Sequence, residues 1–104
     1  VAVNGSGKIG YMDYFLDQAG KTGARTAVIT GAPAERTPSE ADVCVFVPAA
    51  VYKGTDPRVV SSAQPMGNLF EQHLFLLFDI LVMMLEKEMH LTHEQMEARH
   101  RNVE

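Results

Sequence analysis

The residues Gly5-Ser6-Gly7-Lys8-Ile9-Gly10 spell G-x-G-x-x-G directly after the apolar run Val1-Ala2-Val3. After a strand, that spacing lets backbone amides and a helix N-terminus approach a phosphate, because glycine carries no Cβ to block it. A dinucleotide site would also need an acid about 20 positions on, at the end of the second strand, to hold ribose hydroxyls. That place reads Val28-Ile29-Thr30-Gly31, and Glu35 comes several residues into the following loop. A P-loop would require glycine at Ala2 and a hydroxyl residue at Ile9. Both motifs fail, and the feature suits a single phosphate group instead. Asn4 and Ser6 would add side-chain donors, and Lys8 a charge.

Other side chains with chemical capacity are few. Glu71 follows a long loop and opens a long apolar helix, where a carboxylate either moves protons or is simply favoured by the helix dipole. His100, in the tail, is either a proton shuttle or a surface histidine. His73, His90 and His93 lack ligand-like spacing with carboxylates, so no metal site is expected. Asp79 interrupts an apolar run and reads as a paired polar group at a helix interface. Met83, Met84 and Met89 read as core or interface filler. The single Cys44 excludes an internal disulfide and a cysteine-based zinc site, and on an apolar strand it reads as a buried small residue.

Composition narrows the function classes. A net charge of -4, with nine scattered Lys and Arg, argues against a nucleic-acid or membrane-surface binder. Cysteine usage and the lack of a basic, apolar leader point to the cytoplasm. Apolar content of 46% over 104 residues is enough for one small domain with a core. The chain opens on an apparent strand without a Met, which reads as the interior of a longer protein.

The elements that must position these residues follow from periodicity. Strands are expected at 1–3, 26–30 and 43–48, the last near-continuously apolar and therefore covered on both faces. A helix is expected from Gly10 to about Thr22, with Tyr11, Met12, Phe15, Leu16 and Ala19 on its apolar face. Together these make βαβ(α)β units over 1–48, hence a parallel sheet with right-handed crossovers. A turn-rich loop covers 49–67, a long apolar helix 68–89, and a short helix and tail 92–104, the last opened by the Thr92-x-x-Gln95 capping box. Leu74–Leu85 is apolar except for Asp79; twelve residues fall short of the about 20 that span a bilayer, so the sheet and a partner subunit are expected to cover this helix, the alternative being burial within this chain alone.

The segments "VNGSGKIG", "GKTGARTAVITG", "ADVCVFVPAA", "QPMGNLFEQHLFLLFD" and "RHRNVE" resemble the second half of a sugar isomerase (SIS) domain. More narrowly, Pro65-Met66-Gly67-x-Leu69-Phe70-Glu71-Gln72 and Arg99-His100-x-Asn102-x-Glu104 resemble the 6-phospho-3-hexuloisomerase branch. The resemblance implies a three-layer α/β, flavodoxin-like fold: a parallel sheet flanked by helices, with the N-terminal part absent and a long C-terminal oligomerisation helix. It implies an isomerase without metal or cofactor that interconverts 3-hexulose 6-phosphate and fructose 6-phosphate through an enediol, as part of the ribulose monophosphate pathway. It also implies homodimers or homotetramers built through the 68–89 helix. Carried over residue by residue, Asn4, Gly5, Ser6 and Lys8 cradle the phosphate, Glu71 is the base, and His100 is an acid/base helper at a neighbouring subunit's site. The family's loop usually reads Ser-Gly-Ser-Gly-Glu-Thr, and here Ile9 stands in place of the threonine. Two alternatives remain: a non-catalytic sugar-phosphate-binding SIS module, and a fragment whose role is oligomerisation.

Overall fold

The computed structural model describes residues 1–100. The chain falls into two compact units, Val1–His73 and Leu74–Glu104.

The first unit is α/β. Its elements in chain order are β1 (Ala2–Val3), α1 (Gly10–Lys21), β2 (Ala27–Thr30), α2 (Arg36–Ser39) and β3 (Val43–Phe46). A 3₁₀ turn at Pro65–Gly67 then leads into α3 (Asn68–Glu88). The sheet order is β1-β2-β3 and both pairings are parallel, as the βαβ spacing requires. Ala2 lies opposite Val28 and Val3 opposite Ile29, while Ala27–Thr30 run alongside Val43–Phe46. β2 is the central strand, and Val28, Ile29 and Thr30 are buried. The core continues through Leu16, Ala32, Val47, Ala49 and Phe70.

Two sequence expectations change here. β3 was expected to be covered on both faces, yet Val43 is 41% exposed and Val45 37%. Alternate side chains point to opposite faces, so both faces of β3, which is also the edge strand of this sheet, are largely uncovered in this chain. Cys44 is accordingly exposed rather than buried, although nearby atoms displace enough water to push its thiol pKa up. On α1 only Leu16 of the expected apolar face is buried. Tyr11 and Phe15 stand out in solvent with Tyr14, their rings meeting edge to face at centroid distances of 6.4 and 6.1 Å.

Loop 49–67 is not a free excursion. Ala49 and Val60 form a parallel bridge, with Ala50 N–H donating to Val60 O and Val60 N–H to Pro48 O. Val51 projects from this loop, and its Cγ1 lies 3.1 Å from where a Cβ on Gly5 would stand.

Within the second unit, the remainder of α3 is followed by α4 (His93–Glu97). Thr92 Oγ1 accepts from Gln95 N–H at 3.2 Å, and Gln95 Oε1 accepts from Thr92 N–H at 2.9 Å. This is the reciprocal cap that the T-x-x-Q spacing predicts. Apolar side chains on every side of this part of α3 are exposed, Phe75 (77%) and Met83 (67%) among them. Asp79 is exposed as well rather than set in an interface. By length and composition Pro65–Glu88 is long and apolar enough to cross a membrane, which corrects the expectation drawn from Leu74–Leu85 alone. The apolar core of that helix, Leu74–Leu85, rises only about 18 Å by itself, against the ~30 Å hydrocarbon thickness of a bilayer. Asp79 sits within it.

Candidate functional site

The carboxyl ends of parallel strands are where open α/β sheets collect their ligand-binding loops. Three loops meet there in the first unit: Asn4–Ile9 after β1, Gly31–Glu35 after β2, and the long loop after β3. Gly31 N–H donates to Gly5 O at 3.0 Å, and Thr30 Oγ1 donates to the same oxygen at 3.1 Å. These bonds tie the first loop to the second.

The glycine loop turns tightly, with Gly7 N–H donating to Asn4 O at 3.1 Å. Gly7 has φ +66, the left-handed region, and a Cβ there would lie 2.7 Å from Glu35 Cβ and 2.8 Å from Ala32 O. Only glycine fits. The backbone N–H groups of Ser6, Lys8 and Ile9 have no acceptor among the described residues, and no hydrogen bond engages the Ser6 hydroxyl. With the first amides of α1 they form the backbone cradle that suits a phosphate oxygen. Ile9 is the N-cap of α1 and supplies no side-chain cap, so the family's hydroxyl at this place has no substitute.

The side chains expected to assist the cradle are largely committed elsewhere. Asn4 is 1% exposed and its Nδ2 donates to Thr37 Oγ1 at 2.8 Å. Thr37 Oγ1 in turn donates to Asp13 Oδ1 at 2.6 Å, and Asp13 pairs with Arg36. Because the threonine proton goes to the carboxylate, the amide of Asn4 must be the donor to Thr37. Its Oδ1 has no partner, and one of the two Nδ2 hydrogens is committed to Thr37. Through that bond the buried Asn4 holds the start of the loop onto α2. Lys8 Nζ lies 2.9 Å from Glu35 Oε1, so its charge is already matched. Of the expected phosphate set, Gly5 and Ser6 remain as backbone and hydroxyl contributors.

Glu71 lies in the first turn of α3, directly after the buried Phe70. The Phe70 ring packs on the glycine loop, with Cε1 3.2 Å from the place of a Gly5 Cβ. Glu71 itself is exposed, not shielded from water as a burial-tuned base would be. His100 belongs to the second unit, where its N–H donates to Glu97 O at 2.9 Å. Arg101, Asn102 and Glu104 of the expected ending lie outside the described residues. Among the described residues no group of three or more His, Cys, Asp or Glu could hold a metal ion.

Sequence reasoning missed Thr37, Asp13, Arg36 and the new place of Glu35. Asp13 was visible as an acid in the first turn of a helix, but nothing in the spacing linked it to Thr37, 24 residues on.

A cleft of about 150 Å³ opens beside these loops, lined by Ala32, Ala34, Glu35, Thr55, Asp56 and Pro57. Arg58 forks onto Asp56, with Nε 2.9 Å from Oδ1 and Nη2 2.7 Å from Oδ2. Those bonds hold the Asp56 carboxyl at about 2, below its ordinary 3.8. Arg58 also stacks over the Phe46 ring at 4.7 Å, which fixes the β3 loop against the strand it leaves.

No family model matches the chain. It is 33% identical over all 104 residues to the 3-hexulose-6-phosphate isomerase of Mycobacterium gastri, covering 51% of that protein. It is 29% identical over 101 residues to the 3-hexulose-6-phosphate isomerase of Bacillus subtilis, covering 54%. These similarities support the resemblance to the sugar isomerase (SIS) family. An uncharacterized protein of Archaeoglobus fulgidus is similar at 29% identity over 100 residues, 54% of its length. A crystal structure of a hypothetical protein superposes on 97% of this chain and 53% of its own, with a TM-score of 0.76 at 27% identity. The chain thus spans about half the length of the curated relatives it matches.

Proposed function

We propose that this chain carries the phosphate cradle and the base of a sugar-phosphate isomerase acting between 3-hexulose 6-phosphate and fructose 6-phosphate. The observation that carries the proposal is its 33% identity, along all 104 residues, to a protein named 3-hexulose-6-phosphate isomerase. The open amides of Ser6, Lys8 and Ile9 at the sheet's carboxyl end support it, because they match the chemistry of a phosphomonoester.

In this mechanism the phosphate sits on the Gly5–Ile9 backbone and the Ser6 hydroxyl. Glu71 takes the proton from C2 of the 3-ketose, and the electron pair forms the C2–C3 double bond of an enediol. The C3 carbonyl oxygen gains a proton as this happens, and His100 of a neighbouring copy is the acid that supplies it. Return of a proton to C3, with loss of the proton from the C2 hydroxyl, gives the 2-ketose. The exposed apolar side chains of α3 are the surface through which copies assemble into a homodimer or homotetramer, in the cytoplasm.

The test is a pair of titrations and an assay on the whole chain. Fructose 6-phosphate is expected to shift the amide resonances of Gly5 to Ile9, and 3-hexulose 6-phosphate is expected to appear. Glu71→Gln should abolish turnover while leaving those shifts in place. Unmoved loop resonances would sink the cradle. The exposure of Glu71 favours a second reading, a non-catalytic sugar-phosphate-binding module; binding without any turnover is the result that selects it.

A further inference from the structure

The cradle is not a bare patch of amides, because an acidic side chain packs beside it and pairs with its lysine. Glu35 runs against Gly7, its Cβ only 2.7 Å from where a Gly7 Cβ would stand, and its Oε1 is 2.9 Å from Lys8 Nζ. The backbone carrying Glu35 is anchored on both sides. Glu35 N–H donates to Ala32 O, and two residues on, Thr37 N–H donates to Gly7 O at 2.9 Å while its hydroxyl holds Asn4. Lys8 differs: it projects from the loop on a flexible four-carbon stem with an exposed head. The other cation beside the loop, Arg36, is matched by Asp13.

We infer that Glu35 is a resident carboxylate that competes with the incoming phosphate for Lys8, so that phosphate binds by partner exchange at Lys8. The inference rests on the proposed phosphate cradle. Glu35 is held by its scaffold and stays, so the lysine head is the part that moves. Lys8 then bridges a phosphate dianion on the loop amides and leaves Glu35 to water. Anions of weak charge do not extract Lys8, which makes Glu35 a specificity-determining residue for phosphomonoesters.

The experiment is a calorimetric titration of the whole chain with inorganic phosphate and with fructose 6-phosphate, in the native form and in Glu35→Gln, Lys8→Met and the double variant. Exposed ion pairs are weak, so Glu35→Gln should tighten phosphate binding by roughly threefold to tenfold. Lys8→Met should weaken it, and adding Glu35→Gln to Lys8→Met should recover less than about twofold. Equal tightening in both backgrounds overturns the exchange, because Glu35 would then act only as a distant charge. Binding unchanged or weakened by Glu35→Gln overturns it too, while leaving the cradle intact. Absence of phosphate binding in all four proteins overturns the cradle itself and the exchange with it.

Discussion

The ring of Phe70 closes on Gly5, with Cε1 and Cδ1 3.2 and 3.3 Å from the place a Cβ would take. This contact sets the first turn of α3, and therefore Glu71, against the loop that follows β1. A methyl group at Gly5 would be crowded on both sides, since Val51 Cγ1 is also 3.1 Å away. Gly5→Ala should cost about 1–3 kcal/mol by overpacking. Phe70→Ala should cost about 3–5 kcal/mol through the cavity it leaves. Chemical denaturation reads both. If Gly5→Ala acts by crowding this ring, it should be partly rescued in the Phe70→Leu background, and additivity of the two changes would contradict the contact.

The buried chain from Asn4 through Thr37 to Asp13 should be less tolerant of Thr37→Val than of most isosteric changes. Valine keeps the volume but strands the Asn4 amide and withdraws a hydrogen bond from the Asp13 carboxylate. A loss of about 1–3 kcal/mol is expected, with the amide signals of Asn4 to Gly7 broadened or displaced. A neutral Thr37→Val would mean that the network holds nothing in place.

Acid stability should carry the signature of Asp56. Its carboxyl is at about 2 in the folded protein, held down by the hydrogen bonds from Arg58. A depressed carboxyl contributes stability above its unfolded value near 3.8, and that contribution fades as pH falls from about 4 to about 2. The stability advantage of the native chain over Asp56→Asn should therefore shrink across that window and stay flat above it. Carbon NMR of the carboxyl gives an independent check, and a midpoint near 3.8 would exclude the Arg58 fork in solution.

Ile9→Thr restores a hydroxyl at an N-cap that now has none. A gain of about 1 kcal/mol in helix stability is expected, together with tighter binding of inorganic phosphate, since the hydroxyl adds a donor beside the loop amides. Stabilisation without any change in phosphate affinity would separate the cap from the cradle.

Much of the first unit was legible from the chain. Apolar runs ending at glycine turns, spaced by one long and one short helical segment, left parallel βαβ units as the simple solution, and β1, β2 and β3 pair that way. The Thr92-Gln95 cap was equally legible, because both partners lie within one turn. Local periodicity and short-range hydrogen bonds are properties a linear pattern records.

The donors and charges around the glycine loop were not legible. Asn4 and Lys8 look available in sequence, since their partners, Thr37 and Glu35, lie 33 and 27 positions away. Exposure of β3 and of the α1 aromatics was hidden for a related reason: hydropathy states that a face is apolar and says nothing about what lies against it. The sequence by itself therefore determined the element order, the parallel sheet and the glycine turn where a phosphate can approach backbone amides. Only the tertiary structure decided which side chains remain free to help, because a polar group's availability depends on what the fold brings within about 3 Å of it.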